Sequence, residues 1–245
     1  MGHGVFVGTK KNGEWATRPP CTILCCMFYL IGVNHDAQRH PPGATLDKDQ
    51  TKLQRRLNEA IDVHHPKLIA VEESEDTLLD KGGVIDESIP RNAAQRRGIE
   101  AILCEPLNGE KRQIGCTDKS EIRLQLEFLR NCPPGLEETV AYAVEIALNF
   151  PLREDFWIKK LKEHLQSEVV FVLGENHIDS FSRRLRTLGI HSKALVRGIG
   201  VTEAQMTECE AAKRFPIENP ELFCAILQGI RESLGIDMRL CVSYG

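Results

Sequence analysis

A histidine that follows a buried strand can be held firmly at a sheet edge, and this chain has two such histidines in matching settings. Gly32-Val33-Asn34-His35-Asp36 closes the apolar run Phe28-Tyr29-Leu30-Ile31, and Gly174-Glu175-Asn176-His177-Ile178 closes Val170-Phe171-Val172-Leu173. In this unit Gly serves the turn, Asn caps the next helix, and His is presented for chemistry. Two imidazoles and a carboxylate suit two kinds of reaction. They can hold a divalent ion that keeps open positions for water and substrate and acidifies the water. Without an ion, one imidazole is a general base and the other an acid or oxyanion donor, with a carboxylate orienting the ring.

The carboxylates are found by reading only the ends of the apolar runs, because ligands sit beyond the carboxyl ends of parallel strands. Those ends give His35, Glu72-Glu73, Glu105 and His177. Glu72 is the first candidate, with Glu73, because the doubled Glu leaves the register open, and Glu105 as alternatives. Arg153, in Arg153-Glu154-Asp155-Phe156-Trp157, follows Pro151, where a helix start would disfavour a cation. An Arg in that place can hold a carboxylate or a substrate oxyanion. Each residue also has a plainer reading. Asn34 and Asn176 would simply cap helices, Glu72 and Glu73 would open a helical first turn, and Arg153 would be a solvated neighbour of a core Trp157. The recurrence of the whole unit favours a site. Further predictions are that His64 and His65 end a helix, that His40, near His35 in a Pro-rich loop, is free to enter a site but has no partner in sequence, and that His164 and His191 lie at the surface.

These residues need a scaffold, and the hydropathy pattern supplies one. Short runs rich in Ile, Leu and Val, apolar on both faces, predict buried parallel strands at 27–33, 67–71, 100–104, 169–173 and about 192–196. Helical periodicity covers 47–65, 92–97, 118–130, 136–150, 154–165, 178–188, 202–213 and 220–234. Asp47 is the expected N-cap of the first helix and Pro66 its stop, while Pro151 is expected to break or kink the long helical stretch. The order predicts an α/β fold, with a mainly parallel central sheet, helices on both faces, and a helical insertion between two halves that form a pseudo-repeat. Residues 1–20 read as a flexible N-terminal arm and 21–245 as a single α/β domain, with 41–46 and 80–90 as candidate flaps.

Composition narrows the function classes. The 245 residues carry a net charge of −4, with no basic footprint for nucleic acid. Nine Cys without a CxxC pair read as reduced thiols of a cytoplasmic protein. The apolar stretch at 21–33 is too short to span a bilayer and reads as the first strand, so no membrane partner is expected.

Two Gly-x-x-His motifs closing apolar strands, with Glu after the second strand and Arg between, resemble the TraB/Tiki superfamily. That group includes TraB proteins, Tiki proteases, erythromycin esterases and ChaN-like haem-binding proteins. The resemblance covers 27–35, 68–73, 153–157 and 169–189, and implies a site built from both His motifs. Its proteases need a divalent metal, whereas its esterases use His and Glu alone. Carried to this chain, His35, Glu72 and His177 become the catalytic or metal-binding set (manganese, cobalt or zinc), with Arg153 for the oxyanion. The expected function is a soluble hydrolase that cuts an amide or ester bond in a peptide or small molecule, with metal assistance. The competing expectation is a non-catalytic effector or sensor that keeps the same pocket. On the first, His177→Ala abolishes turnover and leaves the melt nearly unchanged.

Overall fold

The computed structural model describes residues 27–79, 86–129 and 132–235. The expected N-terminal arm and most of the 80–90 flap lie outside these residues. In chain order the strands are β1 (Met27–Val33), β2 (Arg39–His40), β3 (Leu68–Val71), β4 (Glu87–Ser88), β5 (Glu100–Leu103), β6 (Val169–Gly174) and β7 (His191–Ile199). The helices are α1 (Lys48–His64), α2 (Glu75–Leu78), α3 (Ile89–Arg97), α4 (Asn108–Gln113), α5 (Lys119–Leu129), α6 (Glu137–Lys160), α7 (Ile178–Thr187), α8 (Glu203–Glu218) and α9 (Pro220–Leu234). The chain is an α/β protein.

Five strands form one parallel sheet in the order β5-β3-β6-β1-β7. The two strands that carry the repeated unit are therefore neighbours, with Leu30 opposite Phe171 and Val33 opposite Gly174. Both Asn-His ends leave the sheet at the same edge. Side chains alternate between faces along each strand, and both faces are covered, which explains runs without polar alternation. On one face Ile31, Ile69 and Val172 pack with Leu53 and Leu57 of α1 and Ala94 of α3. On the other, Phe28, Phe171 and Leu173 pack with Trp157 of α6 and Phe181 and Leu185 of α7. Burying each of these large side chains contributes roughly 1.5–3 kcal/mol. A third core is purely helical and joins the first half of α6 to α5, α8 and α9 through Val144, Ile122, Phe215 and Ile226.

The first helix begins and ends where the sequence indicates. Asp47 accepts the N–H groups of Asp49 and Gln50, each at 2.8 Å, and the Gln50 side-chain oxygen accepts Asp47 N–H at 2.9 Å. His65 turns left-handed at φ 46°, ahead of Pro66. His64 stacks on Tyr29 at 3.8 Å, and His40 pairs with Glu87 at 3.4 Å.

Pro151 does not break the helix. α6 runs unbroken from Glu137 to Lys160. Proline removes one backbone donor and so one helical bond. Phe150 and Trp157, buried to either side of it, hold the helix in place by packing. Arg153 consequently lies deep inside a helix, and a cost from the N-terminal dipole does not arise. The helix predicted at 202–213 likewise continues through Pro216 to Glu218. No helix among the described residues is long and apolar enough to cross a membrane.

Candidate active site

Strand order brings the expected residues together. β3 ends beside β6 and delivers Glu72 next to Gly174, whose N–H donates to Glu72 Oε2 at 2.6 Å. The other oxygen of Glu72 faces both imidazoles, with Nε2 of His35 at 3.6 Å and Nε2 of His177 at 3.7 Å. Arg153 reaches in from α6. Its Nη2 donates to Glu72, its Nε and Nη2 donate to Glu105 Oε2 at 3.1 and 2.9 Å, and its Nη1 donates to His177 Nε2 at 3.3 Å. Lys111 adds a bond to Glu105 at 2.9 Å, and the Trp157 indole N–H adds another at 3.3 Å. His35, Glu72, Glu105, Arg153 and His177 thus form one charge cluster.

The doubled Glu is resolved by strand alternation. Glu72 belongs to the cluster, and Glu73 turns away from it towards Ser88, Arg39 and Arg91. The helix that Glu72 and Glu73 were expected to open starts later, at Glu75, with Ser74 as its cap.

The repeat's parts differ from their expected roles. Neither Gly32 nor Gly174 has a positive φ. Both are glycine because space is short. A Cβ on Gly32 would overlap Glu175 Oε2, and one on Gly174 would lie 3.2 Å from both Glu72 Oε2 and His35 Nε2. Asn34 does cap, accepting Asp36 N–H at 3.3 Å, and its amide also donates to Gly200 O at 3.2 Å. Asn176 does not cap. It donates to the hydroxyl of Tyr142 on α6.

The two histidines are unequal. His177 is buried, stacked on Phe150 at 3.6 Å and edge-on to Trp157 at 4.8 Å. Its Nδ1 lies 3.0 Å from Glu154 Oε1, which also accepts the Ser180 hydroxyl at 2.5 Å. With Nδ1–H donating to Glu154, Nε2 is left to accept from Arg153, which fixes a neutral tautomer. Burial, then the nearby charge of Arg153, holds the imidazole well below the usual histidine range. His35 has about half its side chain open. Its Nδ1 lies 3.2 Å from the side-chain amide nitrogen of the fully buried Gln38. An amide can turn either end to a neighbour, and turned over from this orientation its oxygen accepts Nδ1–H and leaves a lone pair on His35 Nε2.

Gln38, Glu154 and Ser180 were missed by the sequence reading. The signal for Ser180 was its place three residues after His177, on the same helical face. Glu154 stood in the run already singled out for Arg153. Gln38 had no comparable signal.

Burial pushes the Glu154 carboxyl up to about 8, against the lowering effect of the Ser180 hydroxyl. The fold therefore keeps a proton that the unfolded chain releases above its ordinary 4.5. Stability from this group is complete below that value and is lost as pH rises towards 8. Relative to Glu154→Gln, which mimics the protonated acid, the wild type is expected to lose melting temperature between about pH 5 and 8. Parallel melts across that range would contradict this.

A divalent ion does not fit this donor set. The guanidinium of Arg153 stands among Glu72, Glu105 and His177 and takes the His177 Nε2 lone pair, so a divalent ion there would meet a fixed cation. Among the described residues, no three His, Cys, Asp or Glu group together in a way that could hold a metal ion. No family model, curated protein or solved structure matches this chain.

Two cavities meet at the cluster. The larger, about 1090 Å³, is lined on its inner wall by Glu72, Glu73, Glu105 and Asn149 and towards its mouth by Lys111 and Arg112. The smaller, about 300 Å³, is lined by Tyr142, Phe150, Asn176, His177 and Val201. His35, Arg153, Glu145 and Lys119 border both.

Proposed function

We propose that this chain is a hydrolase of esters or amides that works without a metal, by general-base activation of water at His35. The supporting observation is the junction itself. A half-open imidazole and a buried guanidinium border both cavities, so a bond lying across the junction has one part of the substrate on each side of His35. The resemblance to the TraB/Tiki group, in its esterase rather than its metal-dependent form, points the same way.

In this reading His35 Nε2 takes a proton from water as the water oxygen attacks the carbonyl carbon. Glu72 Oε1, facing that nitrogen, stabilises the imidazolium that forms. Arg153 has five N–H donors, and four are engaged with Glu72, Glu105 twice, and His177. The fifth, on Nη1, donates to the developing oxyanion. The imidazolium then returns its proton to the departing oxygen or nitrogen, and the products are an acid and an alcohol or amine. His177 does not exchange protons here, because its two nitrogens are engaged with Arg153 and Glu154. It and Glu154 hold Arg153 in position.

A panel of 4-nitrophenyl esters and 4-nitroanilides, assayed with and without a strong chelator, tests this reading. Turnover that survives chelation is expected. Turnover that disappears and returns with manganese, cobalt or zinc would replace His35 by an ion as the activator of water. Binding of the panel without turnover would make the chain an effector or sensor module.

A further inference from the structure

Glu73 is the buried acid that the charge cluster does not use. It is 2% exposed, and neither carboxylate oxygen has a well-aligned hydrogen-bond partner, the Ser88 hydroxyl being the one neutral donor beside it. The acids beside it are well supplied, Glu72 by Arg153 and Gly174 N–H, and Glu105 by Arg153, Lys111 and Trp157. The cations near Glu73 are engaged elsewhere. Arg39 donates to the Thr77 carbonyl and pairs with Asp36 at 3.8 Å, and Arg91 pairs with Glu75 at 3.3 Å. The Ser88 hydroxyl accepts the Arg91 N–H at 3.3 Å and keeps its own O–H for Glu73, a single neutral donor for two oxygens. A buried carboxyl left in this state is costly, and native proteins seldom leave one without a reason. Glu73 also borders the larger cavity, near Thr77 and Arg39, with its two oxygens covered, so a ligand there meets them when the carboxyl turns into the cavity.

We propose that Glu73 is the recognition group for an ammonium carried by the substrate, seated in the larger cavity. This rests on reading that cavity as the substrate site, and it specifies the substrate's chemical class: an ester or amide bearing a free primary amine. An ammonium supplies up to three donors to two poorly supplied oxygens and brings the charge that burial otherwise denies them. A hydroxyl or amide would fill one acceptor and leave the charge unmatched. Burial pushes the Glu73 carboxyl up to about 7, while Ser88, Arg39 and Arg91 pull it down. A bound cation would therefore shift it readily to the anion.

The test uses binding, so that it does not depend on turnover. L-alaninamide and N-acetyl-L-alaninamide are titrated calorimetrically into the full chain carrying His35→Ala, with and without Glu73→Gln. At least tenfold tighter binding of the free amine is expected, and Glu73→Gln should abolish the difference. An infrared band of a buried protonated carboxyl, absent in Glu73→Gln, should disappear from the Glu73 protein when the amine binds. Equal affinities for the two probes, no binding of either, or a preference that survives Glu73→Gln each overturns the proposal. An ammonium preference in a chain that hydrolyses nothing would keep Glu73's role and reject the hydrolase. Turnover through His35 without the preference would do the reverse.

Discussion

Replacing Arg153 by Met lowers the stability of the folded chain by about 3–5 kcal/mol, the usual cost of removing one partner from a buried ionic set. The guanidinium is the common donor to Glu72, Glu105 and His177, and Glu72 and Glu105 are almost wholly buried. Without it two buried carboxylates lose their shared counter-charge, with Lys111 the main remaining cation on Glu105. Urea unfolding of Arg153→Met, compared with Arg153→Met carrying Glu72→Gln, measures this. The second variant should recover part of the loss, because it removes one of the stranded charges. If the single variant unfolds at the wild-type midpoint, the guanidinium is not what holds these carboxylates. Arg153→Lys should fall between, since one ammonium cannot serve three partners in the fork geometry of Arg.

His35→Ala gives the second large effect, and it separates from the first by leaving stability nearly untouched. The proposed base supplies about 10²–10⁴ in rate, so turnover should fall by that factor. Half of the side chain is open, which limits what the fold loses. The expectation that His177→Ala also spares the melt does not survive the structure. His177 is enclosed by Phe150 and Trp157 and bonded to Glu154 and Arg153, and its removal opens a cavity and strands polar groups, at roughly 2–4 kcal/mol. Rate and midpoint measured on both variants distinguish the residues. A rate loss confined to His177→Ala would move the base to the buried imidazole.

Much of the site was legible because strand ends are legible. Continuous apolar runs mark parallel strands buried on both faces, and a polar residue just past such a run has few places to go. His35, Glu72, Glu105 and His177 were found in this way and do gather at one sheet edge. Arg153 was found through a wrong premise, a helix start after Pro151, though its expected partner, a carboxylate, was right. What could not be read is contact between side chains far apart in the chain. The link from His177 to Glu154 spans 23 residues, and the support of His35 by Gln38 depends on a short 3-10 turn at His35–Gln38 rather than on a regular period. The glycines show a similar limit. Their presence was legible, but the crowding that requires them depends on Glu175 and Glu72 arriving from other elements.

The unbroken course of α6 has a consequence for how the molecule comes apart. At 24 residues it is about 36 Å long, and its two halves belong to different cores, Val140 and Val144 to the helical one and Trp157 and Ile158 to the sheet. Arg153 stands between them. Neither core can open without loosening the helix that the other also holds, so the helical layer and the sheet unfold as one cooperative unit. Amide protons along 148–157 should then exchange at the rate of global opening, and the charge cluster hung from that segment stays assembled for as long as the fold does.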